Sequence, residues 1–87
     1  MALMLNGNLD FEARKLFIAA ASSEIGRNND LTLDCLEVGT IDDGTIGMMV
    51  TIARAAARRG GRVRLVRVPQ ALADALEAAS VREMFFG

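Results

Sequence analysis

One stretch of the sequence decides the fold, and it reads Leu31-Thr32-Leu33-Asp34-Cys35-Leu36-Glu37-Val38-Gly39-Thr40-Ile41-Asp42-Asp43-Gly44-Thr45-Ile46-Gly47. In its first part, Leu31, Leu33 and Cys35 occupy every second position, which predicts a half-buried strand. Asp42 and Asp43 then stand immediately before an apolar stretch with helical spacing, so the chain turns there from strand to helix. A helix N-terminus exposes unpaired N–H groups and partial positive charge. Such a turn therefore serves as a plain cap, an anion site or a phosphorylation site.

The rest of the chain continues the alternation of strands and helices. Asp10 is predicted to cap the first helix, and Gly60-Gly61 ends the second. Strands separated by helical crossovers imply a largely parallel sheet covered by helices. No linker or repeat interrupts the pattern, so residues 1–87 are predicted to form a single α/β domain. The predicted strands lie at 3–5, 31–36 and 62–68; the predicted helices lie at 11–26, 44–59 and from Pro69 to about residue 79, before a last short turn ending at Phe86.

The composition indicates a small globular domain and excludes several functions. Of the 87 residues, 52% are apolar, and ten basic against eleven acidic residues leave a net charge of −1. That charge, with four Phe and no Trp or Tyr, gives no basis for nucleic-acid binding. No apolar run approaches the roughly 20 residues that span a bilayer, and the N-terminal apolar run lacks the length and basic flank of a signal peptide. We therefore expect a soluble cytoplasmic protein without membrane insertion.

The chain has no histidine and a single cysteine, Cys35. The commonest general base, the usual metal ligand and the Ser–His and Cys–His dyads are therefore missing. One cysteine excludes an internal disulfide and, without histidine, argues against a zinc site. We expect a protein that is not an enzyme and that uses no metal and no cofactor.

The run 31–47 resembles the STAS domain of anti-sigma factor antagonists, whose pattern reads roughly V-V-L-D-L-S-G-V-T-F-I-D-S-S-G-L-G. Residues 5–10 are similar to that family's L-x-G-x-L-D, residues 60–66 to its G-G-x-L-x-L-V strand, and Val81 and Phe85 to its terminal leucine and phenylalanine. We expect the family's first strand to be absent or shortened in this domain. The resemblance implies a STAS-like α/β class, with a largely parallel or mixed sheet of about four strands covered by about four helices. Asp34, Val38, Ile41, Asp42 and Gly47 match the pattern outright, and Ile46 matches it conservatively.

What the resemblance implies for function is a partner switch in bacterial transcription regulation. In that family, an unphosphorylated antagonist binds an anti-sigma factor kinase, and phosphorylation of a Ser or Thr at the start of the second helix breaks the complex. Here the family's D-S-S-G becomes Asp42-Asp43-Gly44-Thr45, so Gly44 occupies the acceptor position. Three interpretations follow: the switch is lost, Asp43 supplies a fixed negative charge, or Thr45, one residue late, is the acceptor. A shift of one residue rotates a helical side chain by about 100°, so Thr45 would present its hydroxyl in a different direction from the usual acceptor. We favour loss or relocation of the switch. The switch turn comprises Asp42, Asp43, Gly44, Thr45 and Gly47.

A second apolar stripe on the second helix predicts where a partner binds. The first stripe, which includes Met49, should cover the sheet. A helix that is apolar on two sides either meets a partner or is covered by another element, here the first helix or a loop. We favour the partner. This predicted partner-binding stripe contains Met48, Ile52 and Ala55, in line with Thr45.

Asp34 ends a strand beside the switch turn and is included in the predicted partner surface. Its carboxylate is expected to accept hydrogen bonds from loop amides. The alternative is a weak Mg²⁺ site shared with Asp42, since hard cations take carboxylate oxygens.

The sequence therefore predicts a non-enzymatic regulatory domain that binds an anti-sigma factor or histidine-kinase-like serine kinase through the start of helix 44–59. The alternative is a STAS subunit of a larger assembly, such as a lipid-transport ABC ATPase complex. A third interpretation is an anion- or nucleotide-binding module that uses the 42–45 turn. An exposed sheet edge would also favour a homodimer.

Overall fold

The structure is a computed structural model that describes residues 2–5, 10–39 and 41–86. The segment 5–10, similar to the family's L-x-G-x-L-D, thus lies largely outside the described residues, as does Thr40. In chain order the elements are β1 (Ala2–Met4), α1 (Phe11–Asn28), β2 (Leu31–Asp34), α2 (Asp43–Arg58), β3 (Val63–Val66), α3 (Gln70–Ala78) and α4 (Glu83–Phe86).

The sheet is parallel throughout, with the strand order β1-β2-β3. In its central row Leu3 lies opposite Leu33, which lies opposite Leu65. The predicted α/β class is confirmed. The strand count differs slightly from the expectation of about four, because the described residues form a sheet of three strands.

One face of the sheet packs against the hydrophobic core. Leu31, Leu33 and Cys35 are buried on it, as their alternation predicts, together with Val63 of β3. Burial raises the pKa of the Cys35 thiol to about 11, with a smaller effect from the nearby Asp34 charge, so this thiol is an inert packing group. Leu5, directly after β1, is also buried in the core. The helices contribute a further group of core residues: Ala21, Ile25, Met48, Met49, Ile52, Ala53, Ala56, Leu72, Leu76 and Phe85.

The helix ends follow local capping rules. The Asp10 carboxylate accepts the Ala13 N–H at 2.8 Å and starts α1, as predicted. The predicted end of α1 was two residues too early, because Asn29 adopts the left-handed conformation (φ 65°) and closes the helix there. Gly60 (φ 77°) ends α2, as predicted. Among the described residues no helix combines the length and the hydropathy needed to cross a bilayer.

A close backbone approach joins the α2–β3 connection to the end of α1. An ideal Cβ built on Gly61 would lie 1.7 Å from the carbonyl oxygen of Asn29 and 2.4 Å from its carbonyl carbon. Asp30 reinforces this junction, because its Oδ1 accepts the Arg62 N–H at 2.8 Å. Only glycine fits at position 61 without moving one of the two backbones.

We predict that Gly61→Ala destabilises the domain by about 1–3 kcal/mol, because the methyl group meets backbone atoms that cannot rotate away. Urea unfolding followed by circular dichroism measures the free energy. Gly26→Ala is the matched control, since a Cβ there meets nothing within 4 Å and lies inside α1. The control should gain about 0.5–1 kcal/mol. Equal stability of Gly61→Ala and the wild type would contradict the close approach.

Candidate functional site

The start of α2 is fixed by the side chain of Asp42. This residue is extended (φ −131°, ψ 177°), and its Oδ1 accepts the Thr45 N–H at 2.8 Å. Its backbone oxygen accepts the Ile46 N–H at 3.0 Å as the first bond of the helix. Asp42 is therefore the N-cap, and Asp43 becomes the first helical residue, where the helix dipole favours a negative charge.

The side chain of Thr45 is directed inward. Thr45 is only 4% exposed, and its hydroxyl shares a hydrogen bond with the Asp42 carboxylate. Hydrogen bonds from the Thr45 backbone N–H and then from its side chain lower the pKa of Asp42, and the positive charge of Arg14 adds to this effect. The candidate acceptor hydroxyl is thus held within the turn rather than presented to solvent.

Gly44 is covered by an arginine from α1. An ideal Cβ on Gly44 would lie 1.9 Å from a terminal guanidinium nitrogen of Arg14 and 2.8 Å from its central carbon. Because Gly44 has no side chain, Arg14 packs into the space that a side chain at position 44 would occupy. The position that holds the acceptor in the resembled family is filled here by a cation from a neighbouring helix.

A groove opens between the switch turn and α3. It has a volume of about 310 Å³, and the two carboxylates of Asp42 and Asp43 border it. Asp43 is exposed, and no cation among the described residues pairs with it. The other described residues that line the groove are apolar: Ile41, Ile46, Ala75, Ala78 and Ala79.

Asp34 lies outside this groove and is bound to an arginine after β3. The Nε of Arg67 donates to Asp34 Oδ1 at 3.0 Å, and a second guanidinium nitrogen donates to Oδ2. The Leu36 N–H also donates to Oδ1 at 3.1 Å, which is the predicted bond to a loop amide. The Arg67 contact, followed by the Leu36 bond, lowers the pKa of Asp34. Asp34 therefore ties the loops after β2 and β3 together. No set of three or more potential ligands among the described residues could hold a metal ion.

The expectation of an exposed stripe on α2 was wrong. Met48 is 4% exposed and Ile52 is 1% exposed, while Ala55 is half-buried. The physical reason is that α1 packs along α2, and Met48 lies beside Ile18 in the cleft between the two helices. The alternative in which the first helix covers this side is therefore the observed one.

Gly47 is exposed on α2 and lies next to open space, since a Cβ there would meet nothing within 4 Å. The turn thus brings together Asp42, Asp43, Gly44 and Thr45, but not Asp34 or Met48.

Sequence reasoning missed two contributors to this site. Arg14 was assigned no role, because nothing local connects it to a turn thirty residues later. The part of the groove that α3 contributes was also not predicted, and the small size of Ala75 and Ala79 was the available signal that a neighbouring surface stays open beside them.

The architecture and the site define a small α/β domain with a parallel sheet and a carboxylate-capped second helix beside an open groove. Residues 1–85 match the family model described as "Mlab, STAS domain". The chain therefore belongs to the STAS domain family, and this membership supports a regulatory STAS-type domain.

Among solved structures, the chain is similar to the one described as "NMR Structure of the protein TM1081", with a TM-score of 0.82. The two sequences are 24% identical, and the match covers 98% of this chain and 70% of that chain. This likeness supports the fold alone. No curated protein matches the sequence.

We predict that Asp42→Asn changes the pH dependence of stability. Asparagine still caps a helix but carries no charge. The folded-state pKa of Asp42 lies below its ordinary value of 3.8, so its stabilising effect is present above that value and is lost as the pH falls through the folded pKa.

The loss of unfolding free energy caused by Asp42→Asn should therefore be largest between about pH 5 and 7 and shrink in more acidic solution. Urea unfolding of both proteins from about pH 7 down to about pH 2 measures the difference. A difference that is the same at every pH would show that the Asp42 charge is not stabilised by the turn.

Proposed function

We propose that this STAS domain is a non-enzymatic cytoplasmic regulator that binds a protein partner through the start of α2. The proposed partner is an anti-sigma factor or a histidine-kinase-like serine kinase, and the proposed role is that of an anti-sigma factor antagonist. Binding requires no cofactor, no nucleic acid and no membrane insertion.

One observation carries the proposal: the groove at the capped start of α2 joins apolar side chains to an exposed carboxylate. Ile41 and Ile46 are half-buried in its wall, and Asp43 is exposed at its border. An open apolar surface next to unpaired charge is typical of a protein-binding site. The surface replaces the stripe around Met48, which α1 covers.

We further propose that the phosphorylation switch is lost in this chain. Gly44 offers no hydroxyl, and its side-chain space is taken by Arg14. Thr45 has a hydroxyl, but it is buried and bonded to Asp42. A kinase would have to open the N-cap of α2 to reach it, at a cost of about 1 kcal/mol or more. Asp43 then keeps one permanent negative charge at the turn.

A second candidate function follows from the same observation. A STAS subunit that stabilises a larger assembly, such as a lipid-transport ABC ATPase complex, needs permanent binding and no acceptor. The lack of a hydroxyl at Gly44 and the burial of Thr45 are compatible with such a subunit, and equally with an antagonist that is not regulated by phosphorylation. The identity of the bound ATPase separates the two functions.

Pairing of two copies through the sheet edge remains a proposal. Among the described strands, β1 is at one edge, with Ala2 and Met4 exposed. Edge strands present unpaired backbone groups to a neighbouring chain.

We predict that the purified domain captures a histidine-kinase-like ATPase from its own cells and that Asp43→Lys abolishes the capture. Mass spectrometry of the bound proteins identifies the partner. Asp74→Lys is the matched control, because Asp74 is an exposed carboxylate on α3 that does not line the groove. Recovery of a transporter ATPase would instead support the assembly subunit.

We predict that incubation with the captured kinase and ATP adds no phosphate to the wild-type domain, because neither Gly44 nor the buried Thr45 presents a hydroxyl. Intact-mass measurement detects any addition. Gly44→Ser is the positive comparison, since it places a hydroxyl at the acceptor position and requires only the flexible end of Arg14 to move. Phosphate on Thr45 of the wild type would show that the switch has moved rather than disappeared.

A further inference from the structure

The first turn of α2 separates two grooves with different charge. The groove towards α3 has Asp42 and Asp43 in its lining and, of the residues that the structure describes, no basic one. The cleft towards α1 has a volume of about 240 Å³ and is lined on one side by Arg14 and Lys15. The acidic lining of the first groove favours a positively charged ligand, and the basic side of the second favours a negatively charged one.

The two carboxylates of the α3-side groove are not equivalent. Asp42 is engaged internally, because its carboxylate accepts hydrogen bonds from the backbone N–H and the side chain of Thr45. Asp43 is exposed, forms no ion pair among the described residues and stands at the border of the apolar wall. The groove thus offers one carboxylate that a bound molecule can neutralise.

The apolar wall adds a second requirement. Among the described residues its side chains are isoleucine or alanine, and none of these offers a hydrogen-bond donor to an anion. Arg and Lys side chains combine a long aliphatic stem with a charged end, so they can cover such a wall and still reach a carboxylate at its border. A phosphate or nucleotide would meet two negative charges instead.

We propose that the groove between the start of α2 and α3 binds a segment of the partner protein that presents a basic side chain next to an aliphatic one. This inference rests on the proposed function for the existence of a partner, and it specifies the chemistry of that partner's contact. The basic end pairs with Asp43, and the aliphatic side chain packs against Ile41 and Ile46.

The groove can be tested without the natural partner. The probe is the blocked dipeptide N-acetyl-leucyl-arginine amide, titrated into the domain with ¹³C-labelled Ile and Ala methyl groups. N-acetyl-leucyl-glutamate amide, which carries the opposite charge, is the comparison. The expected result is saturable shifts with the Arg peptide and none with the Glu peptide. The methyl groups expected to shift are those of Ile41, Ile46, Ala75, Ala78 and Ala79.

Three variants and controls sharpen the result. Asp43→Asn should weaken binding of the Arg peptide about twofold to fivefold, as for the loss of an exposed ion pair. Asp74→Asn removes a carboxylate outside the groove and should leave the affinity unchanged. The methyl group of Ile18 reports the cleft beside α1 and should not move.

Several outcomes would overturn the inference. These are equal shifts with the Glu peptide, shifts confined to Ile18, no effect of Asp43→Asn, or no shift at any concentration. Shifts of the groove methyl groups on concentrating the domain alone would assign the groove to a second copy. If the Arg peptide binds as expected but the captured protein is neither an anti-sigma factor nor a kinase, the proposed function falls and the inference about the groove stands.

Discussion

The hydrogen bonds between Asp42 and Thr45 are the interaction on which the rest of the site depends. The Asp42 carboxylate accepts the Thr45 N–H at 2.8 Å and also bonds its side chain. These hydrogen bonds set the residue at which α2 begins. If the helix began one residue later, each of its side chains would be rotated about the helix axis by about 100°. With this start, Met49 and Ala53 face the core. The same start leaves Asp43 outside.

Two properties of the site follow from that cap. Thr45 is drawn into the turn, so its hydroxyl becomes part of the fold rather than a group available for chemistry. Gly44 is left with no side chain on the surface that faces α1, and Arg14 fills that space. The turn therefore holds a fixed arrangement of charges: the Asp42 carboxylate hydrogen-bonded to Thr45, the Arg14 guanidinium packed over Gly44, and the exposed Asp43 carboxylate. A fixed arrangement suits a surface that recognises a partner by its charge and shape.

The features that the sequence predicted correctly depend on residues close together along the chain. Alternation identified β2, Asp10 identified the start of α1, and Gly60 identified the end of α2. The errors involve contacts between distant segments. The side of α2 that contains Met48 was expected to be exposed, but α1 covers it. Because α1 is apolar on more than one side, with Leu16 73% exposed, its pattern does not indicate which side packs against α2.

In the candidate site, too, the features formed by neighbouring residues were predictable and those formed by distant segments were not. Asp42, Asp43, Gly44 and Thr45 could be recognised from the sequence, because a cap and a helix start are local signals. The groove could not, because one of its walls comes from α3, about thirty residues further along the chain. Likewise, the pairing of Asp34 with Arg67 connects the ends of two strands that only the sheet brings together. Residue types alone could not show that this carboxylate was already neutralised.

The cap also bears on which ligand the turn can accept. An anion at a helix N-terminus binds to the unpaired backbone N–H groups there. In α2 the Thr45 N–H is already bonded to Asp42, and Asp43 adds a second negative charge within the first turn. A phosphate would have to displace one carboxylate and approach another, whereas a cation meets an exposed carboxylate beside an apolar wall. Of the three roles that the turn could have had, the cap is the one observed, and its electrostatic consequence is to favour a basic partner over an anionic ligand.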